Sequence, residues 1–421
     1  MDRPGSFLCE YFGFIFVSYC AIQNTINLDV DSSNALKFKR NTDRFEVDFE
    51  WTYVNFTWPN QDDYKNAVDT GRYIPENNCI AGVKIYNGNI YLALPKLKEG
   101  AAVTLGYISQ NSRGRKNVLI RPYPTWRMHS GSNCATLQNV QSMEIDSKGI
   151  MWILDGNRFN NYTKCPPKLV LLDLENRGKL LHIFEFSEEI SSARGGFLND
   201  IVIDETDGGY AYITEASSND PGLIVYSRSQ DKAWKLRDKT MFAEIEASNF
   251  TVDGSYNDQL VPIDGIALSP IPVNKKQDRL VYYCALSAVN LYAISTRILK
   301  NEKFCRGSMW RKYVRAVGEK QGQSDGLAID NEGNLYYGLL DSYGIAKWNI
   351  YEPINSTKII EENNSTIIWP DSFSFDNQGF IYVLTNGIHK FFNPTVKHDT
   401  TSTKFRLMKL YTGTKSYMYT N

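Results

Sequence analysis

Histidine is scarce in this chain, with only His129, His182, His389 and His398 among 421 residues. That leaves little material for a multi-histidine metal centre or a nucleophile-His-Asp triad. Neither sign of charge is in excess: 46 Lys+Arg face 47 Asp+Glu, a formal net charge of −1. No global basic field exists to hold a phosphate backbone, which excludes nucleic acid as an expected partner. Beyond residue 21 no apolar run approaches the ~20 residues needed to span a bilayer, so no membrane partner is expected either. No two cysteines show the C-x₂₋₄-C spacing of a zinc site, and no compact catalytic motif is present. RGGF (194–197) lacks the strand-then-helix setting of a phosphate loop and reads as a turn, and RGRK (113–116) reads as a solvated hairpin tip.

The one long apolar stretch lies at the start. Arg3 is followed by Phe7 to Ala21, interrupted by Glu10 and ending in the small residues Ser18, Cys20 and Ala21. This pattern predicts a secretory signal peptide over 1–21, with 22–421 as the mature, soluble, extracellular chain. Removing it leaves Cys79, Cys134, Cys165, Cys284 and Cys305, an odd number, so at least one is free or intermolecular. Pairing neighbours in sequence gives Cys134 with Cys165 and Cys284 with Cys305, each bridge contributing about 3 kcal/mol through loop closure. Glycosylation sequons at Asn55, Asn161, Asn249, Asn355, Asn363 and Asn364 agree with a secretory route.

Aromatic residues are abundant, 26 Tyr, 21 Phe and 8 Trp. Such side chains suit pleated, half-buried surfaces, which puts an all-β fold ahead. A recurring phrase then sets the architecture: a short alternating strand, a turn with Asp or Asn and often Gly, and a second strand rich in Tyr, Trp, Ile and Leu. It begins at Ala81, Gln141, Asn199, Asp264, Asp325 and Asp371, at intervals of 60, 58, 65, 61 and 46 residues. Further strand-like runs follow each hairpin. Four antiparallel strands per repeat, six times over, predict a six-bladed β-propeller around a central channel, as one domain. The segment 45–58 is expected to lend a strand to the last blade and close the ring, with 404–411 competing for that place.

A propeller blade starts beside the channel and its second strand returns to the same face. One channel mouth should therefore gather two sets of residues. The starts of the first strands supply Ala81, Gln141, Asn199, Asp264, Asp325 and Asp371; the ends of the second strands supply Pro95, Asp155, Glu215, Ser287, Asp341 and Asn386. Six of these twelve are carboxylates and none is Lys or Arg, so an electronegative mouth able to draw in a small cation is expected. Phe159 and Tyr343 are candidates for an aromatic wall.

The phrases PYPTW (122–126), NVQSMEID (139–146), CPPKLVLLDL (165–174), AYITEA (211–216), SDGLAIDNEGNLYYGLL (324–340) and WPDSFSFDNQGFIYVLTN (369–386) resemble the insect yellow and major royal jelly protein family, over about residues 45–411. The resemblance implies a secreted, glycosylated six-bladed propeller. It also implies a role in cuticle melanisation, dopachrome conversion, biogenic-amine binding in the channel, or nutrition. Many members carry a Cys just before the strand that here begins at Ile150, where this chain reads Ser147-Lys148-Gly149. That difference makes Cys134 with Cys165 the simpler pairing. Three functional readings follow: a binder of a small amine or catechol-type ligand at the channel mouth, an enzyme converting dopachrome-like melanin intermediates with Asp264, Asp325 and Asp371 as bases, or a calcium-dependent hydrolase using those aspartates with Asn199. A structural or storage role stands beside them. No cofactor is required by the first two; calcium belongs to the third.

Overall fold

The structure is a computed structural model that describes residues 44–131, 133–156, 165–274, 277–391 and 400–419. The predicted leader, Phe159 and the sequon at Asn161 lie outside the described residues.

In four of the six repeats one aspartate shapes the turn of the recurring phrase. Asp146 Oδ1 accepts the backbone N–H groups of Lys148 and Ile150, and its Oδ2 accepts Trp152 Nε1 at 3.1 Å. Asp330 holds Glu332 N and Asn334 N while receiving Tyr336 OH at 3.3 Å, and Asp376 holds Gln378 N and Phe380 N while receiving Tyr382 OH at 3.3 Å. Asp204 does the same with Thr206 N and Tyr212 OH. Each aspartate closes the turn and satisfies the polar tip of the aromatic that its blade buries, so one residue type fixes both register and core contact.

Six four-stranded antiparallel sheets result, arranged as a six-bladed β-propeller. In chain order the innermost strands are Gly82–Tyr86, Val140–Ile145, Leu198–Asp204, Ile263–Leu268, Leu327–Ile329 and Pro370–Phe375. Each contacts the innermost strand of the next blade, and the sixth contacts the first, which closes the ring. The approach is tight enough to demand glycine: a Cβ at Gly265 would meet Asp325 O at 2.3 Å, and one at Gly326 would meet Asp371 O at 2.0 Å. Hence the Asp-Gly pair that opens the fourth and fifth repeats, the aspartate facing the channel and the glycine admitting the neighbouring backbone.

The two candidates for ring closure turn out to share the last blade. Phe405–Tyr411 is its third strand, and Glu46–Trp51 pairs with it as the fourth, outermost strand. RGRK is solvent-exposed, as expected, and its side chains also reach that strand. Arg115 lies over the Phe49 ring at 4.5 Å and pairs with Asp48, Lys116 pairs with Glu50, and Glu50 N donates to Arg115 O. At one end of the channel, residues 416–419 of the C-terminal segment line the lumen, Tyr417 OH accepting Ile203 N at 2.8 Å.

Cys134 and Cys165 form a disulfide with Cα atoms 5.4 Å apart. Cys284 and Cys305 do not pair; both thiols are free and buried, and Cys79 is buried as well. Cys284 meets Ser324 of the fifth blade at 3.6 Å, whereas Cys305 contacts Ile298 O at 3.2 Å and lies beside Trp234 of the third blade. The two thiols thus face opposite sides of the fourth blade, a relation that nearness in sequence does not reveal. Of the sequon asparagines, Asn249, Asn355, Asn363 and Asn364 are exposed and Asn55 is half-buried. Among the described residues no helix is long and apolar enough to cross a membrane.

Candidate functional site

A cavity of about 110 Å³ opens at the channel end away from the C-terminal segment. It is lined by all six residues that begin the innermost strands: Ala81, Gln141, Asn199, Asp264, Asp325 and Asp371. They converge because every blade starts at the same radius and height. Side-chain bonds link them around the wall: Gln141 Nε2 points to Asn199 Oδ1 at 3.5 Å, and Asn199 Nδ2 donates to Asp264 Oδ1 at 2.6 Å. Asp371 receives Asn386 Nδ2 at 2.6 Å. Asp200, next to Asn199, adds a fourth aspartate to the wall and accepts Ser142 Oγ at 2.8 Å.

Burial and the charge of Asp371 hold the Asp325 carboxyl well above the usual carboxylate range. Burial likewise raises Asp200, against the opposing pull of Lys84. Carboxyls crowded into a poorly solvated wall oppose one another's ionisation, so Asp325 holds its proton more tightly than an exposed carboxyl does. The cavity therefore presents one carboxyl whose protonated form is favoured beside further carboxyl groups able to accept hydrogen bonds. Among the described residues no group of three or more His, Cys, Asp or Glu side chains is arranged to hold a metal ion.

The second set behaves differently from the sequence expectation. Asp155 is fully buried, 2.9 Å from Lys168 Nζ, and accepts the backbone N–H groups of Gln138 and Asn139. Glu215 is buried against Lys235 at 2.6 Å and accepts Phe197 N and Ser217 Oγ. Both carboxylates point across their own blades, where a lysine from a later strand neutralises them, and neither lines the cavity. Asp341 is exposed and holds Ser342 Oγ. Asn386 stands behind Asp371; its Oδ1 also accepts Ile388 N, at the start of the short helix Ile388–Phe391. The count of mouth carboxylates therefore overstates the site's charge at Asp155, Glu215 and Asp341 and misses Asp200.

The aromatic wall also differs. Tyr343 stands behind it, its OH accepting Asp253 N at 2.9 Å. The lining aromatics are Phe250 and Trp369, with ring centroids 6.1 Å apart. Phe250 comes from a small hairpin, Phe250–Val252 paired with Ser255–Asn257, inserted between the third and fourth blades. Trp369 has φ +52, the left-handed region that bulky residues avoid at a cost of roughly 1–2 kcal/mol. In that conformation its indole Nε1 donates to Asp325 Oδ2 at 2.7 Å while the ring faces the cavity. His389 of the short helix stacks on the other part of this wall, 5.2 Å from Trp369 at 9° between planes.

The chain is similar to several known proteins. Dopaminechrome tautomerase of Drosophila melanogaster is 24% identical over 388 residues, covering 87% of this chain and 81% of its own. Major royal jelly protein 9 of Apis mellifera is 25% identical over 372 residues, covering 85% of each chain. Protein yellow of Drosophila yakuba is 25% identical over 375 residues, covering 85% of this chain and 67% of its own. Among solved structures, a luciferin-regenerating enzyme is superposed over 84% of this chain and 96% of its own, with a TM-score of 0.47 and 12% identity. Residues 138–416 match the major royal jelly protein family, and with the six-bladed ring and its repeat turns in place, the chain belongs to that family.

Proposed function

We propose that the cavity takes one small ring derived from a catechol amine and moves a proton on it, as tautomerisation requires. The observation that carries this reading is Trp369. It offers a ring face and, through Nε1, anchors the Asp325 carboxyl at 2.7 Å, so that a flat ligand lying on the indole meets an acid and carboxylate acceptors at its edge. A cationic or N–H-bearing ring gains from both the aromatic face and the carboxylates, since no lysine or arginine is among the lining residues. The activity named for the Drosophila melanogaster relative supports the same chemistry. The protein is proposed to act outside the cell, in pigment or amine biology, after removal of its leader and glycosylation of its exposed sequons.

Calorimetric titration with dopamine, serotonin and octopamine, and bleaching of aminochrome freshly made from dopamine, test the reading on one preparation. Binding with bleaching faster than buffer, both weakened by Asp264→Asn with Asp371→Asn, is the expected result. Binding without bleaching assigns the site to amine capture, a role the acidic aromatic wall alone sustains. A protein that shows no binding and no bleaching refutes the proposal.

A further inference from the structure

We propose that His389 is the base that takes the proton from the ligand's ring carbon, an assignment that rests on the tautomerisation reading above. His389 lines the cavity, is only 7% exposed, and neither Nδ1 nor Nε2 has a hydrogen-bond partner within the protein. A buried imidazole with both nitrogens unmatched is uncommon, because such groups are normally paired. The ring lies nearly coplanar with Trp369 at 5.2 Å, and its helix is tied down at one end by Asn386 and at the other by the ion pair of Lys390 with Asp253 on the Phe250 hairpin. Both nitrogens are closed to solvent and lack a protein partner, so a ligand seated in the cavity reaches one of them when the side chain turns about its own bonds while the helix stays in place.

Burial and the neighbouring charge of Lys390 lower the imidazole to about 4, against a smaller opposing pull from Asp253. His389 is therefore neutral at physiological pH and able to accept a proton. So weak a base serves only a strongly activated carbon acid, such as a ring C–H next to a quinone conjugated with nitrogen. The step balances without an external oxidant or reductant. His389 takes the ring C–H proton, the C–H electron pair becomes a C=C bond, electron density moves onto the quinone oxygen, and the Asp325 carboxyl protonates that oxygen. The ligand keeps its composition and oxidation state, and the proton on His389 returns to Asp325 through solvent.

The test uses aminochrome made from dopamine as reactant and dopamine itself as a ligand that does not react. His389→Gln keeps a polar side chain of similar reach but offers no comparable base. It is expected to lower the bleaching rate constant about 100-fold while leaving dopamine affinity within about threefold. His389→Ala is expected to lose the same activity and to regain part of it when imidazole is added, which a purely structural role would not permit. If wild type bleaches aminochrome and His389→Gln bleaches at a similar rate, the assignment falls while the site reading stands. Loss of dopamine binding in parallel with bleaching, or no rescue by imidazole, also overturns it. A wild-type protein that does not bleach removes both.

Discussion

Replacing Lys168 by Met leaves the Asp155 carboxylate buried without its cation. The two side chains are 1% and 0% exposed and their charged atoms 2.9 Å apart, so water cannot substitute for the missing ammonium. Removing one partner of such a pair costs about 3–5 kcal/mol. Two backbone N–H groups, Gln138 at 2.9 Å and Asn139 at 2.7 Å, still face the carboxylate, which places the expected loss near the lower end. The lysine's second bond, to Thr136 O at 3.0 Å, is lost as well. A folded body of about 380 residues unfolds with roughly 0.8 kcal/mol/K of entropy, so ~3 kcal/mol corresponds to a melting temperature lower by ~4 °C. Scanning calorimetry reads this directly. Combining Lys168→Met with Asp155→Asn removes the stranded charge and should recover ~2 kcal/mol of the loss. Ligand affinity should stay constant throughout, because neither residue lines the cavity. A melting temperature unchanged by Lys168→Met, or a double variant no more stable than the single one, refutes the reasoning. A fall in affinity would return Asp155 to the binding mouth.

Asp325→Asn should stabilise the protein at neutral pH. The Asp325 carboxyl is raised by burial and by Asp371, so between the ordinary value of about 3.9 and its own higher value the folded state binds more protons than the unfolded one, and stability falls as pH rises through that window. Denaturant titrations should show the gain from Asn disappearing as pH drops below about 4; a constant gain at all pH values contradicts the assignment. Cys134→Ser opens a loop with a sequence separation of 31 residues. By the chain-entropy relation it should cost about 3.5 kcal/mol, read as a lower urea midpoint with little change in affinity. Gly326→Ala forces a Cβ against the Asp371 carbonyl at 2.0 Å. A loss of about 3 kcal/mol or failure to fold is expected, with Gly71→Ala, whose Cβ meets nothing within 4 Å, as the milder comparison.

Much of the site was legible because a repeat protein writes its geometry periodically. Residues 141, 199, 264, 325 and 371 open successive innermost strands, and equal phase in the repeat means equal position around the channel; all five line the cavity. What the repeat cannot convey lies in the insertions between its units. Phe250 arrives on a hairpin within the longest interval, and His389 on a helix inserted between the second and third strands of the last blade. Trp369 stands two residues before a repeat start, and its left-handed backbone accompanies an indole that faces the cavity. Long gaps between blade strands, over 237–262 and 386–404, were the available signal for the two insertions.

The sequence by itself determined the propeller, the blade count and the six positions that meet at one mouth. Strand alternation, Asp-bearing turns and glycines at close approaches are local requirements, and locality survives in a linear pattern. Only the tertiary structure decided which carboxylates face a ligand and which face a lysine. Asp155 and Asp371 are the same residue type, yet one faces a lysine across its blade and the other shares a wall with Asp325, whose carboxyl holds its proton more tightly than an exposed one. The same limit applies to cysteine, where Cys134 reaches Cys165 while Cys284 and Cys305 look away from each other across a sheet. Pairing of charges and of thiols depends on the direction in which side chains leave the backbone, and that direction is fixed only when the blades pack.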